Sequence, residues 1–485
     1  MLPAGRHFAI TWSIPDSYGG MTTAMLQRSR AFVRLGGATV DVLTFDVRAD
    51  YPSVEADLRA RGDLVDGMRL LNLYDWLRDS PLPGGTLRPE LHRFTPLEPD
   101  HPGPVRERGG VVLSRSRLAT DGSILQVDHF RTDGSLLLSD RRDVLHRGDL
   151  GGRSVVLCDP DGRPVRSWGG IHPLYRAWLD RLTARRPSWM IVDSKTSANF
   201  MTGYRRPHVT VVHVVHNSHL ARADEPLGAV RASRSRVFDD LRAFDSVVVL
   251  TRRQRHDVVT AHGHADIVRV IPNASDHADD HGGRQARDPR RGVVLASLTS
   301  RKRVDHAVRA VIAAHESTGV TLDVFGDGEL RAELERLAAG HPGIVTFHGH
   351  RTDARRALAG ASFLLATGSS EGFPLVLVEA MAAGCIPISY DVPYGASDII
   401  DARNGLLVPS GDAAALEHAI VALATEPEHR LAARRRTARR TAERYGDRAV
   451  TALWSRELRA ASRRHARSLG APTAQVGATA VRQAS

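Results

Sequence analysis

The sequence predicts an α/β protein of two doubly wound domains with parallel sheets, carrying an antiparallel β-meander inserted in the first domain. Three observations lead there. Strand–loop–helix–strand patterns open the chain between Phe8 and Phe45 and return between Gly292 and Ser389, as expected where helices cover a parallel sheet. Between them the character changes: from about Pro81 to Trp168, short alternating segments are separated by Asp121-Gly122, Asp133-Gly134 and Asp161-Gly162, a strong hairpin signal. Finally, 485 residues are enough for two or three domains with ample core.

The elements follow in order. An apolar strand from Phe8 to Thr11 leads through Gly19-Gly20 into a helix from about Thr22 to Leu35, and Val40 to Phe45 is the next strand. Paired glycines before a helix make a turn, and they also let backbone approach a ligand closely. A Pro-rich linker from Pro81 to Pro104 precedes the meander, whose strands are read as Val111 to Leu118, Ile124 to Phe130, Leu136 to Leu138 and Ser154 to Cys158. No constellation of ionisable residues stands out in it. It reads as a structural appendage, or as a platform for self-association or for docking an acceptor.

The α/β pattern resumes with a helix from Tyr175 to Ala184, a strand from Trp189 to Asp193, and the nearly all-apolar strand Val209 to Val215. His213 lies inside that run and reads as a core residue. His216 stands at its carboxyl end, where open α/β sheets bind ligands. A strand from Ser246 to Leu250, a helix after it, and a polar linker from His277 to Arg290 complete the first part. The second domain begins with Gly292 to Ala296 and a helix from about Asp305 to His315. Strands follow at Leu322 to Phe325, Val345 to Gly349 and Phe363 to Ala366. The domains are therefore 1–80 with 169–272, the meander 81–168, and 273–445; a C-terminal helix spans 446–469, and 470–485 is expected to be disordered.

Composition sets limits. Hydrophobic residues at 42% and charged residues at 25% are ordinary for a soluble globular protein. No apolar run nears the roughly 18 residues of a membrane span, and no signal peptide is expected. Cys158 and Cys385 are the only cysteines, so a disulfide framework is not expected and a reducing cytoplasm is. The net charge of +11 points to an anionic partner. Lys195 and Lys302 are the only lysines among 66 basic residues, and a lysine kept against such an arginine bias marks a place where a compact ammonium is needed.

The densest stretch is Gly368 to Tyr394. A strand empties into a small polar loop, and a helix runs from about Pro374 to Ala383, with Pro374 expected in its first turn and Gly384 as its left-handed cap. Glu371 and Glu379 are eight residues apart, about 12 Å at the helical rise, close to the distance from sugar to ribose in a nucleotide sugar. The free amides of the helix start lie between them and favour a phosphate. Two glutamates near a helix start also serve as a cap and a solvated face.

The string EGFPLVLVEAMAAGCIPIS, from Glu371 to Ser389, resembles the E-x7-E signature of the large retaining glycosyltransferase family with the two-domain GT-B fold, often called family 4. The resemblance implies that Glu371 contacts the donor sugar and Glu379 the ribose. It implies further that Lys302 stabilises the departing diphosphate, and that Gly19 and Gly20 face the donor phosphates and the acceptor. Gly326 would lie in the nucleotide-side loop. Gly372, Phe373, Pro374 and Leu375, which open the helix, join the donor site, and His216 is a candidate contact to the sugar or the leaving phosphate. The chain departs from the family at Ser297, where an arginine is usual; either Arg301 or Arg303 substitutes, or the diphosphate clamp is weaker than usual.

The opening IPDSYGGMTTAMLQRSRAF and the meander are also similar to a subgroup, the poly(glycerol-phosphate) or poly(ribitol-phosphate) α-glucosyltransferases of teichoic acid decoration. The function this implies is retaining, metal-independent transfer of glucose or N-acetylglucosamine from a UDP-sugar to a hydroxyl of a polyanionic glycopolymer. No cofactor beyond the donor is expected, nor nucleic acid as partner, because the basic C-terminal region offers only Tyr445 and Trp454 for stacking. The implied setting is cytoplasmic, peripheral on the inner face of the membrane, with the meander as a route to a homo-oligomer. The alternatives are a protein O-glycosyltransferase adding HexNAc to Ser/Thr and a non-catalytic binder of anionic polymer.

Overall fold

The computed structural model describes residues 1–470 except 17, 84, 89–93, 223, 224, 226 and 276–286. Seven parallel strands form the first sheet, in the spatial order Val268–Val270, Ser246–Val249, Val209–Val215, Ser188–Val192, Arg6–Ile10, Val40–Thr44 and Met68–Asn72. Every residue of the VTVVHVV strand is buried, the signature of a β-branched strand covered on both faces. The chain starts in the middle of this sheet, winds one way, and returns at Ser188 to wind the other. Its switch point therefore lies between Arg6–Ile10 and Ser188–Val192.

The second sheet has six parallel strands, Val345–Gly349, Thr321–Phe325, Asp288–Leu295, Ala361–Ala366, Ile386–Asp391 and Leu406–Pro409. Its direction reverses between Asp288–Leu295 and Ala361–Ala366. The linker expected up to Arg290 is shorter at its end than the sequence indicated, because Asp288, Pro289 and Arg290 already belong to the strand. Most of that linker, the middle of the Pro-rich segment and the tail 471–485 lie outside the described residues.

The insertion is a meander of six antiparallel strands in sequence order. Two strands escape the sequence reading, Val105–Arg108 and Pro164–Trp168, and both are edge strands. The first is mostly charged and the second begins with proline, features tolerated at a sheet edge and misleading in a pattern search. In each Asp-Gly loop the glycine takes a positive φ, 82° at Gly122, 85° at Gly134 and 77° at Gly162, and donates its N–H three residues back. Leu137, Leu138, Val155, Leu157 and Trp168 share a core with Leu73, Tyr74 and Leu77 of the first domain, so the meander is docked by an apolar face.

That meander also holds charges the sequence reading passed over. Asp143 accepts from Arg117 at 2.8 Å and Arg141 at 2.7 Å, and Asp140 pairs with Arg153 at 2.7 Å. Asp128, fully buried, accepts from Ser139 at 2.6 Å. Arg117, Arg153 and Ser139 lie 11 to 26 residues from the acids they serve, so no local spacing announces them, whereas Arg141 is only two residues from Asp143.

The last helix, Asp447–Gly470, leaves the second sheet and straps the first. Trp454 meets Phe32 edge to face at 6.1 Å, Ser462 accepts from the Trp189 indole at 2.9 Å, and His465 bonds Asp245 at 2.9 Å. Among the described residues no helix is long and apolar enough to cross a membrane.

Candidate active site

The strand Ala361–Ala366 reads ASFLLA, buried along nearly its whole length, and delivers Thr367 at its carboxyl end. The Thr367 hydroxyl donates to the carbonyls of Lys302 at 3.0 Å and Arg303 at 2.8 Å, and the Ser369 N–H donates to the Arg301 carbonyl at 2.8 Å. These bonds lace together the two loops that follow the strands of the switch point. The result is a direct contact: Lys302 Nζ lies 2.5 Å from Glu371 Oε1, with the two side chains 22% and 18% exposed.

Arg301 approaches the same carboxylate from the solvent side, at 3.4 Å, and donates to the Ser370 carbonyl at 3.0 Å. Of the two substitutes for the arginine missing at Ser297, Arg301 is the one beside Glu371. Arg303 has a left-handed φ of 44° and starts the helix Val304–Thr318; its guanidinium runs towards Gly411.

Lys302 and Glu371 line one crevice with Leu295, Ala296, Gly368 and Val376, outside the carboxyl ends of the strands at the point where doubly wound sheets hold ligands. The helix here is Leu375–Ala383, with Pro374 as its N-cap at φ −74° and ψ 89° rather than inside its first turn. The amides of Leu375 and Val376 have no carbonyl partner within the helix, whereas Leu377 N–H donates to the Pro374 carbonyl at 3.0 Å. Gly384 ends it at φ 77°. Since Glu371 sits on the loop before Leu375, the helical rise does not measure its separation from Glu379.

The first domain meets this loop at Gly372. A methyl group there would sit 1.7 Å from the carbonyl oxygen of His216, so only glycine admits the contact. His216 ends the strand Val209–Val215, and its Nε2 lies 2.7 Å from Asp193 Oδ1. Asp193 ends the neighbouring strand at the first sheet's switch point and is gripped by both Arg28 nitrogens, at 2.8 and 2.7 Å. Burial pushes the Asp193 carboxyl up, yet the Arg28 charge and hydrogen bonds, with His216, outweigh it and hold the group down at about 2. With Nε2 committed to Asp193, His216 Nδ1 is a buried atom without a partner among the described residues.

A second tie runs behind the loop. Glu371 N–H donates to the Pro393 carbonyl at 3.2 Å and Tyr394 N–H to the Glu371 carbonyl at 2.8 Å. The Tyr394 ring crosses to the first domain, where its hydroxyl donates to Asp257 at 2.8 Å and its face lies parallel to His219, centroids 6.0 Å apart. Burial, and then Asp257, push the Tyr394 phenol well up. Nearby, Asp398 accepts from the N–H and guanidinium of Arg252 at 3.0 and 2.9 Å.

The other sequence candidates are placed as follows. Glu379 pairs with Arg355 at 2.8 Å. Phe373 packs on Tyr445, centroids 5.3 Å apart, so it supports the loop from within the core. A methyl group on Gly326 would sit 1.8 Å from the Ala296 carbonyl; this glycine brings two loops together. Gly19 caps and Gly20 begins the helix Gly20–Gly36, with nothing within 4 Å of a Cβ on either. Lys302, Arg301, Glu371, Gly372 and Pro374 thus gather on two adjoining loops against the His216 carbonyl, and Gly326 abuts Ala296 in the wall of the same crevice; Glu379 and the Gly19-Gly20 pair are held by other contacts. His213 is a core residue, its Nδ1 2.9 Å from the Val192 carbonyl. Arg28, Asp193, Asp257, Arg355 and Tyr394 were not singled out from the sequence. Of these, only Asp193 carried a signal, as an acid at the end of an apolar strand.

Residues 289–426 match the family described as "Glycosyl transferases group 1". The chain is 28% identical over 254 residues to the UDP-N-acetylglucosamine–peptide N-acetylglucosaminyltransferase GtfA subunit of Streptococcus pneumoniae, a match covering 50% of each. It therefore spans about half of that relative's length. It is 20% identical over 451 residues to the poly(ribitol-phosphate) α-N-acetylglucosaminyltransferase of Staphylococcus aureus, covering 83% of this chain and 89% of the relative. The crystal structure of the S. aureus TarM G117R mutant with fondaparinux, α-GlcNAc-glycerol and UDP superposes with a TM-score of 0.76 at 17% identity, over 94% of this chain and 99% of that one. At that identity the likeness establishes the fold, which is GT-B.

Proposed function

We propose that this protein is a retaining glycosyltransferase that moves a hexose, glucose or N-acetylglucosamine, from a UDP-sugar to a hydroxyl of an anionic cell-wall polymer such as poly(glycerol-phosphate) or poly(ribitol-phosphate). The observation that carries the reading is the Lys302–Glu371 contact at 2.5 Å, in a crevice at the strand ends with the His216 backbone closing on it from the other domain. Without donor, the ammonium and the carboxylate neutralise each other. A diphosphate entering the crevice takes over Lys302 and the leading amides of Leu375–Ala383, and Glu371 is released to accept from sugar hydroxyls.

In the step itself the bond between the anomeric carbon and the β-phosphate oxygen breaks. The acceptor oxygen bonds to that carbon on the same face, and its proton passes to the departing phosphate. Preorganised positive charge at the leaving group is the term such chemistry depends on most. Lys302, with Arg301 beside it, takes the part a divalent cation plays elsewhere, so the reaction proposed is metal-independent and needs no cofactor. Glu379 with Arg355 is assigned to the ribose side, and the free helix start at Gly20 to the acceptor side. The setting proposed is cytoplasmic, at the inner face of the membrane, in keeping with the net charge of +11.

A second reading, transfer of HexNAc to serine or threonine of a protein, is supported by the likeness to the GtfA subunit. Incubating the protein with UDP-glucose or UDP-N-acetylglucosamine and, separately, poly(glycerol-phosphate), poly(ribitol-phosphate) and a Ser/Thr-rich peptide tests both. Mass spectrometry reports the product and NMR its anomer. An α-linked hexose on the polymer alone supports the first reading, the same on peptide alone the second, and a β-linked product refutes retention.

A further inference from the structure

On the far side of the first domain lies a cavity of about 460 Å³ lined by Arg205, Arg242, Arg269, Arg464 and Arg467 together with Asp245 and Asp266. One wall is the C-terminal helix Asp447–Gly470, through Arg464, Arg467 and Ser468, where that helix crosses the amino ends of the strands. Arg205 precedes Val209–Val215, Asp245 precedes Ser246–Val249, and Ile267 precedes Val268–Val270. Asp193 and His216 stand at the opposite, carboxyl ends. A seven-residue strand spans roughly 20 Å, so this concavity is separate from the crevice at Glu371.

Its charge is unbalanced. Five guanidiniums face two carboxylates, and those carboxylates are shared. Asp266 holds Arg242 through two bonds of 3.2 Å. Asp245 lies 3.5 Å from Arg205, accepts the Val211 N–H at 2.8 Å and also meets His465. Glu457 serves both Arg464 and Arg269, the latter at 3.6 Å. Burial first, then repulsion from Arg464 and Arg255, works against the charged form of Arg269, though Glu457 and Asp266 favour it. Arg269 spends its donors on the carbonyls of Ala265, Val268 and Asp266, Arg464 gives one to the Asp245 carbonyl, and Arg205 gives one to Ser468. Each guanidinium carries five N–H donors in a planar fork suited to tetrahedral oxyanions, so the donors left for an added anion are those of Arg467 and the remaining ones of Arg205, Arg242 and Arg464.

We propose that this seam is a binding site for a phosphate group, either free phosphate or the headgroup of an anionic lipid, which pins the C-terminal helix to the first sheet. Guanidinium forks prefer phosphate and carboxylate oxygens to weakly coordinating halides. A nucleic-acid strand would need stacking faces, and the one aromatic lining residue, Phe244, is 1% exposed. The site stands or falls independently of glycosyl transfer.

The test uses the full chain carrying Lys302→Ala, so that the crevice at Glu371 does not compete for anion. Inorganic phosphate is titrated calorimetrically at constant ionic strength against chloride. One phosphate is expected to bind. Arg242→Gln with Arg467→Gln, both at exposed positions, should weaken it at least tenfold without moving the melting temperature in chloride. Asp266→Asn should tighten it several-fold by removing a competing carboxylate. Co-sedimentation with phosphatidylglycerol vesicles, against phosphatidylcholine, separates the sources: sedimentation lost in the double variant identifies a headgroup, and phosphate binding without sedimentation identifies the free ion. Absent phosphate binding, binding that survives the double variant, or weaker binding in Asp266→Asn overturns the proposal.

Discussion

Tyr394 of the second domain donates its phenolic hydrogen to Asp257 of the first at 2.8 Å, while its backbone N–H holds the carbonyl of Glu371 at 2.8 Å. One residue thereby fixes the carboxylate loop and anchors it across the domain boundary. Tyr394→Phe keeps the ring and removes only the hydroxyl, leaving Asp257 without that donor at a site 7% exposed. The expected loss is about 1–3 kcal/mol. If half of it falls on the closed, reactive arrangement, turnover drops roughly two- to thirteenfold. Steady-state kinetics should place the loss in kcat, with the donor KM little changed because Lys302 and Glu371 lie in one domain.

Gly372→Ala makes a harsher demand. The new methyl group would sit 1.7 Å from a backbone oxygen, His216 O, which cannot swing away as a side chain could. The domains must separate locally, so transfer activity should fall below detection while the far-ultraviolet circular dichroism of the protein is retained. Activity within twofold of the parent would show that the apposition is dispensable.

Lys302 and Glu371 should behave as one unit. Lys302→Ala and Glu371→Gln are each expected to lower transfer by about 10²–10³, the usual loss when a preorganised charge is removed. The double variant should lose less than the product of the two. Lys302→Arg should not restore activity, because a planar fork cannot take the place of a compact ammonium wedged against Glu371. A double-mutant cycle on kcat/KM measures this directly.

The Arg28–Asp193–His216 chain carries a pH signature. Asp193 is held at about 2 against a usual 3.8, so its contribution to stability is complete above pH 4 and is lost as the pH falls towards 2. The shift corresponds to about 2 kcal/mol. Arg28→Met removes the main charge that holds the carboxyl down, and should cost about 3–5 kcal/mol at pH 7 by stranding a buried carboxylate. The penalty should shrink as the pH is lowered and Asp193 protonates. Chemical denaturation of both proteins between pH 3 and pH 7 measures the difference, and a penalty that grows on acidification would contradict the assignment.

How far the sequence discloses this arrangement depends on where each partner comes from. Lys302 and Glu371 were legible because lysine is so rare in the chain and because Glu371 opens the string that resembles the E-x7-E signature, each on a loop after an apolar strand. The Arg28–Asp193 pairing was not: Asp193 showed only as an acid at the end of an apolar strand, Arg28 is 165 positions away, and an arginine among polar residues of an amphipathic helix reads as surface until the helix is placed over the sheet. Tyr394 and Asp257 are distant in the same way, with 137 residues between them. Edge strands such as Val105–Arg108 and Pro164–Trp168 break the alternation that marks their neighbours. The return of Asp447–Gly470 to the first sheet is a tertiary event; its heptad-like apolar positions declare a buried face without naming what covers it.

On donor binding, the nucleotide sugar's diphosphate should replace Glu371 on Lys302. A crystal structure of the protein with UDP tests it most directly. A phosphate oxygen is expected within hydrogen-bond distance of Lys302 Nζ, with the other oxygens facing the leading amides of Leu375–Ala383 and the Lys302–Glu371 contact lengthened beyond its present 2.5 Å. UDP bound elsewhere, or in this crevice with Lys302 still closed on Glu371, would contradict it.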